Sequence, residues 1–211
     1  MPRTAAVVAE ARDAIRDKII SGDLSPGDRL VERTLGAELA VSRVPVREAL
    51  RELVAAGYAE QRATGGIAVR AYTADEIDEL VAANAALETL LVTRLAREAS
   101  EGDVTALRVV LAETATAIAN GDTAAASDGN ARFHEVLSAR ARPGVTTELL
   151  ALIGPRLRWL QRQHTDPRAI HAEHVAITDA IAAGDAEVAA GLLRDHAVTS
   201  RAAAVNLHGG T

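Results

Sequence analysis

The hydrophobic positions of this chain follow helical spacing almost everywhere, with one short interruption near residue 60. The first apolar stripe predicts an amphipathic helix over residues 7–20, and its members are Val8, Ala11, Ile15 and Ile19. A Ser-Gly-Asp run at 21–23 ends this helix, and a Pro-Gly turn precedes a second helix that reaches about Ala40. The N-terminal region therefore starts as two helices joined by a turn.

A third helix follows at once and carries two different faces. Val46, Leu50 and Leu53 form a stripe for packing, and another face presents arginines every four residues, at Arg43, Arg47 and Arg51. Ser42 can cap this helix, and Pro45 falls in its first turn, where a missing N–H has no cost. Arginines on such a face can contact phosphates or pair with guanine edges in a DNA major groove. The alternative is a solvated face on which Glu48 pairs with Arg51 or Arg47.

The interruption near residue 60 has the pattern of a β-hairpin. Gly57 ends the third helix, and the segments 58–63 and 67–72 flank the turn residues Thr64, Gly65 and Gly66. Three helices followed by two strands predict a winged helix-turn-helix over residues 1–72. In this arrangement the hairpin is the wing.

From Thr73 onward the pattern is helical only. Thr73 and Glu76 form a capping box that opens a helix to about Ser100, and Gly102-Asp103 begins the next. Further turn signals lie at 121–122, 143–144, 166–167 and 184–185. About six helices of roughly 12 to 28 residues predict an all-α antiparallel bundle over residues 73–207, followed by a disordered tail at 208–211.

Composition narrows the function classes. The chain has 211 residues, no cysteine and 2% aromatic residues, so disulfides, thiolate metal sites and aromatic base-stacking platforms are excluded or disfavoured. No apolar run is long enough to span a membrane, and early charges interrupt any signal peptide, so we expect a cytoplasmic protein. The formal net charge of −6 divides into +1 for residues 1–72 and −7 for the remainder. The acidic excess therefore does not fall on the predicted DNA-binding region.

The segment from Leu24 to Glu60 resembles the DNA-binding domain of GntR-type bacterial transcription regulators. The resemblance spans roughly residues 7–72 and rests on the Pro-Gly-Asp-Arg-Leu turn, the Ser-Arg-x-Pro-Val-Arg-Glu-Ala-Leu core and the glycine wing. It implies a homodimer that reads a pseudo-palindromic operator in double-stranded DNA. It also implies a set of DNA-binding residues, namely Arg33, Ser42, Arg43, Val44, Pro45, Arg47, Gly65 and Gly66.

Four residues of the bundle suggest a metal site. Asn130 and His134 are four residues apart on one helix face, and His174 and His196 can complete a set of one oxygen and three nitrogen donors. Such a set suits zinc, nickel or a similar divalent ion. The residues alone leave open that these histidines are ordinary core or surface residues.

The segment from Thr73 resembles the FadR C-terminal (FCD) domain, the effector module of one GntR branch. Its metal-binding members have Asp-x-x-x-His, then Glu-His, then a histidine in the last helix, and here Asn130 replaces the aspartate. Many relatives also have an arginine where this chain has Asn84, four residues before Glu88. The resemblance implies a small-molecule effector, such as an organic acid whose carboxylate binds the metal. Four arginines are single candidates to replace the missing one: Arg132, Arg156, Arg158 and Arg162.

Together these patterns and the two resemblances imply a ligand-responsive transcription regulator, most often a repressor in the family that the chain resembles, and not an enzyme. One alternative is a metal-sensing repressor whose effector is the ion itself. A second is a metalloenzyme in which Glu135 or Glu173 acts as a base beside a metal-bound water.

Overall fold

The chain forms two compact units, residues Met1–Tyr72 and Thr73–Thr211. The computed structural model describes the backbone of residues 2–161 and 166–208, and the side chains of residues 5–154 and 166–202. Among the described helices, none combines the length and the hydrophobicity that a membrane-spanning segment requires. The mainly helical fold expected from the hydrophobic pattern is confirmed.

The N-terminal unit has three helices and a small sheet. Its elements are α1 (Pro2–Ser21), β1 (Arg29–Leu30), α2 (Glu32–Glu38), α3 (Arg43–Ala55), β2 (Ala59–Gln61) and β3 (Ile67–Val69). The sheet is antiparallel with the order β1-β3-β2, so Ala68 lies between Arg29 and Glu60. The prediction of a two-stranded wing was therefore incomplete, because a third strand of two residues pairs with the second strand of the hairpin.

A tight turn between α2 and α3 fixes the direction of α3. A Cβ atom on Gly36 would lie 2.9 Å from the carbonyl oxygen of Val41, and Ala40 adopts a left-handed φ of 54°. The apolar stripe of α3 then packs into the core, where Val46, Leu50 and Leu53 are almost completely buried. This packing leaves the arginine face of α3 towards solvent.

The second unit is a bundle of six helices within its described residues. They are α4 (Ala74–Glu98), α5 (Glu101–Ala119), α6 (Thr123–Arg140), α7 (Val145–Gln161), α8 (Pro167–Ala182) and α9 (Ala186–His208). Capping boxes open α4 at Thr73 with Glu76 and α5 at Ser100 with Asp103. Helix α9 continues to His208, one residue beyond the predicted end, and residues 209–211 of the predicted tail lie outside the described part.

Candidate functional site

A cleft of about 350 Å³ in the N-terminal unit brings together most of the residues expected to bind DNA. We call it the arginine cleft. Its lining includes Arg29, Arg33, Arg43, Arg47, Gly65 and Gly66. These residues come from β1, α2, α3 and the β2–β3 turn, so the fold assembles a basic surface from four separate segments.

The first turn of α3 does not present every residue that was expected there. Ser42 occupies the N-cap position, but its hydroxyl makes no capping hydrogen bond. Val44 is 62% exposed, whereas Pro45 is buried and faces the core. The burial of Pro45 beside Val46 and Leu50 on the packing face of α3 argues against the DNA contact that was expected for it.

One acidic residue, Glu32, binds both of the arginines that α3 contributes to the cleft. The Nε and Nη2 atoms of Arg47 donate to its two carboxylate oxygens at 2.7 and 2.8 Å, and Arg43 Nη2 approaches at 3.5 Å. These contacts, with the Arg47 hydrogen bond first, hold the pKa of Glu32 below its ordinary value. Sequence reasoning missed Glu32, because it lies 15 residues from Arg47 and pairs across two helices.

Arg51, by contrast, bonds to Glu48 at 2.7 Å and does not line the cleft. The local pairing foreseen for Glu48 therefore occurs with Arg51 and not with Arg47.

The tip of the wing depends on glycine. Gly65 and Gly66 have φ values of 86° and 87°, in the left-handed region that other residues adopt only with strain. No atom lies within 4 Å of a Cβ built at either position. These glycines are therefore required by the backbone of the turn and also leave open space beside the cleft.

Three histidines from three helices meet inside the bundle. His134 (α6), His174 (α8) and His196 (α9) are all buried, and the Nε2 atom of His196 lies 3.2 Å from that of His134 and 3.4 Å from that of His174. We call this cluster the histidine site. In the described part of the chain, these three histidines lie close enough together for one nitrogen of each to bind a single metal ion.

Two carboxylates orient the rings. Glu88 Oε1 lies 2.7 Å from His134 Nδ1, and Glu173 Oε2 lies 2.7 Å from His196 Nδ1, while Thr199 donates to the other oxygen of Glu173. A carboxylate at Nδ1 keeps the proton on that nitrogen, so the Nε2 lone pair faces the centre. Burial lowers the pKa of His196, and the Glu173 hydrogen bond opposes this shift. Imidazole rings with converging Nε2 atoms fit a divalent ion.

Asn130 also lies near this cluster. It is buried one turn before His134, and it lines a small cavity together with His174. Phe133 stacks on the His174 ring with 3.9 Å between centroids. His171, which also lines the small cavity, instead places Nε2 3.0 Å from the Leu111 carbonyl oxygen and is not part of the cluster.

A second cavity of about 350 Å³ opens beside the histidine site, and we call it the bundle cavity. Among its lining residues are Asn84, Glu88, His134, Glu135 and Ser138. Arg132 is not at this cavity, because it lies half exposed on the surface and pairs with Glu113 at 2.7 Å. The side chains of Arg156, Arg158 and Arg162 lie outside the described part.

Glu88 is the main residue of this region whose role the sequence reasoning did not assign. The sequence did contain a signal for such a role, because Glu88 falls in the buried apolar stripe of α4. The other members of that stripe include Ile77, Val81, Val92 and Leu95. A carboxylate in an otherwise apolar stripe needs a buried partner.

Comparison with known families decides the class of protein. Residues 8–69 match the family described as "Bacterial regulatory proteins, gntR family", and residues 78–199 match the FCD domain. The chain belongs to the GntR family of bacterial regulators, in the group that carries an FCD domain. It is therefore a transcription regulator and not an enzyme, and the metalloenzyme alternative is set aside.

Individual relatives agree with this class. The uncharacterized HTH-type transcriptional regulator YdhC of Bacillus subtilis is 35% identical over 58% of this chain and 55% of its own length. The probable D-xylose utilization operon transcriptional repressor of Paenarthrobacter nicotinovorans is 30% identical over 97% of this chain and 91% of its own. A putative transcriptional regulator GntR from Rhodococcus sp. RHA1 has a solved structure that matches with a TM-score of 0.80 and 27% identity, over 98% of this chain and 99% of that chain.

Proposed function

We propose that this regulator is a homodimeric repressor that binds a pseudo-palindromic operator and is released by a small-molecule effector bound over a metal ion. The observation that carries the proposal is the convergence of three buried imidazole Nε2 atoms beside the bundle cavity. The name of the Paenarthrobacter relative supports repression as the direction of control.

Operator binding is assigned to the arginine cleft. Arg33, Arg43, Arg47, Gly65 and Gly66 surround it, and Ser42 and Val44 are exposed at the start of α3. Arginine forks suit guanine edges and phosphates, and a helix N-terminal turn is the part of a recognition helix that reaches base edges. Arg51 lies outside the cleft and serves as a matched control.

The test is a gel shift at fixed salt with a duplex that the wild-type protein selects from a random library. We expect Arg43→Ala and Arg47→Ala to weaken selective binding, by about 1–3 kcal/mol for each arginine–guanine pair that is removed, and Arg51→Ala to change it much less. Wild-type binding by both cleft variants would refute the assignment.

Effector binding is assigned to the bundle cavity and the histidine site. His134, His174 and His196, with Asn130 as a fourth candidate ligand, would hold zinc or nickel. The bound ion would supply a positive centre for an anionic group. Among the described residues that line the cavity there is no lysine or arginine, and Asn84 offers only an amide. In the described part of the cavity, a metal ion at the histidine site would then be the cation offered to an organic acid.

This assignment predicts that organic acids stabilise the protein only when metal is present. A ligand that binds the folded state raises thermal stability, so a thermal-shift screen with and without zinc or nickel separates the two cases. The same screen on His174→Ala is the control, and stabilisation of that variant by the same acid would contradict the proposed site.

A metal-sensing repressor is the second candidate. The observation in its favour is that the Nε2 atom of His196 lies within 3.4 Å of those of His134 and His174, so a cation alone would change the interactions of the site. Titration of operator affinity with metal in the absence of any organic ligand discriminates between the two functions. A metal-dependent release of DNA without an acid favours the ion as effector.

A further inference from the structure

The arginine cleft contains an acidic residue where a phosphate-binding surface would ordinarily exclude one. Glu32 lines the cleft together with four arginines, and its side chain is 25% exposed. A carboxylate at this place repels the DNA backbone. Its presence therefore calls for a role that offsets the repulsion.

The geometry of the Glu32 contact with Arg47 is that of a bidentate fork. Arg47 Nε donates to Oε1 at 2.7 Å and Nη2 donates to Oε2 at 2.8 Å. The contact with Arg43 is a single approach of 3.5 Å. Glu32 thus fixes the plane of one guanidinium and touches the other only at its edge.

A guanidinium has five N–H donors, and the fork uses one edge of it. The edge formed by Nη1 and the second Nη2 hydrogen stays available for a bidentate contact with guanine. Holding the side chain in place before DNA arrives removes part of the entropy that a free arginine loses on binding. A fixed plane also restricts which base edge the arginine can meet.

We propose that Glu32 is a positioning residue that orients Arg47 for sequence reading, so that it increases selectivity while lowering affinity for DNA in general. The proposal rests on the assignment of Arg47 to operator contact. This role differs from that of a carboxylate that only competes with DNA for the arginines. Such a carboxylate, which we call an acidic plug, would weaken the binding of every DNA sequence equally.

The test uses Glu32→Gln, which keeps the shape of the side chain and removes its charge. Glu48→Gln is the matched control, because Glu48 makes a similar pair with Arg51 at 2.7 Å outside the cleft. Affinities are measured for the duplex selected by wild type and for a scrambled duplex of equal length. Thermal melting of each variant establishes that it is folded.

We expect Glu32→Gln to reduce the ratio of selected to scrambled affinity about tenfold, within the discrimination that one bidentate arginine contact supplies. Its affinity for the scrambled duplex should be equal to or higher than that of wild type. Glu48→Gln should keep the wild-type ratio. Lysine cannot form the fork, so in an Arg47→Lys background the Glu32→Gln change should alter the ratio little.

Three outcomes overturn the proposal. Equal discrimination by Glu32→Gln and Glu48→Gln removes the positioning role, and an equal rise in affinity for both duplexes identifies Glu32 as a plug. An undiminished effect in the Arg47→Lys background shows that Glu32 acts through another residue. Failure of the assigned function is distinguishable, because then wild type selects no duplex or Arg47→Ala discriminates as wild type does.

Discussion

Glu88 is an acidic side chain inside the core of the bundle, and only 6% of its surface is exposed. Its contact with His134 Nδ1 explains how a carboxylate is accommodated there, because each group satisfies the other. The contact also fixes the ring so that Nε2 faces the histidine site. Glu88 therefore supports the proposed metal centre by orienting His134, although it is not one of the proposed ligands.

We expect Glu88→Gln to weaken zinc or nickel binding by about 10- to 100-fold, which is typical when a carboxylate that orients a ligating histidine is removed. Isothermal titration of metal-free protein measures the change. Glu113→Gln is the control, because it removes the same charge from an exposed pair with Arg132. Equal metal affinities in both variants would show that Glu88 does not support the site.

The pKa of His196 gives a pH dependence with a definite sign. Burial lowers it below the ordinary 6.5, so the ring is neutral in the folded protein under conditions that protonate it in the unfolded chain. Unfolding then takes up a proton, and this contribution to stability is present above about pH 6.5 and falls as the pH falls towards the folded pKa.

Metal-free wild type should therefore lose more unfolding free energy between about pH 7.5 and 5.5 than His196→Asn, which has no imidazole to protonate at this position. Urea unfolding at several pH values measures both slopes. Identical slopes would mean that burial of His196 does not affect its titration.

Close packing between α5 and α6 depends on Gly129. A Cβ atom there would lie 2.1 Å from Thr114 Oγ1 and 2.9 Å from Thr114 Cβ. The Thr114 hydroxyl donates to the Val110 carbonyl oxygen at 2.8 Å, so moving that side chain breaks a buried hydrogen bond. The glycine precedes Asn130, and its substitution displaces the helix that carries His134.

Gly129→Ala should lower the free energy of unfolding by about 1–3 kcal/mol, the usual cost of overpacking a core. Gly191→Ala is the matched control in α9, where the nearest atom to an added Cβ is Arg194 Nη2 at 3.9 Å. Without a clash, that change should stabilise the helix by about 0.5–1 kcal/mol. Urea unfolding of both variants checks the contrast, and a Gly129→Ala protein as stable as wild type would refute the packing argument.

The helices could be predicted from the sequence because their stripes and caps are local signals. Thr73 and Glu76 form the expected capping box. Helix α5 begins at Glu101, one residue before the Gly102-Asp103 pair that was expected to open it, because Ser100 is the N-cap and Asp103 is its capping-box partner. Strand β1 was missed because two residues, Arg29 and Leu30, are too few to show alternation.

The candidate sites also combine residues that the sequence predicted with residues that it did not. Arg43 and Arg47 share a face by periodicity, and the histidines were found by spacing and resemblance. Glu32 and Glu88 act across 15 and 46 residues of sequence, and no local pattern encodes such pairs. Side-chain partners between helices are set by packing, which a single sequence does not reveal.

At the scale of the whole molecule, the proposed pseudo-palindromic operator would require a two-fold assembly, because a pseudo-palindrome is read by two copies of one reader. Among the described residues, helix α7 carries an exposed apolar stripe that suits this assembly. Val145, Leu149 and Leu152 follow helical spacing and are 70, 42 and 68% exposed. A stripe of exposed apolar side chains along a helix is typical of a protein interface.

We expect Leu152→Glu to weaken self-association at least about tenfold, the effect of removing one central apolar side chain worth about 1.4 kcal/mol. Light scattering coupled to size exclusion measures the assembly over a range of concentrations. Val109→Glu on α5 is the control, because that valine is 50% exposed and belongs to a different helix. Since two linked readers bind more tightly than one, Leu152→Glu should also weaken operator binding at low protein concentration. A dimer that persists in Leu152→Glu and dissociates in Val109→Glu would place the interface on α5 instead.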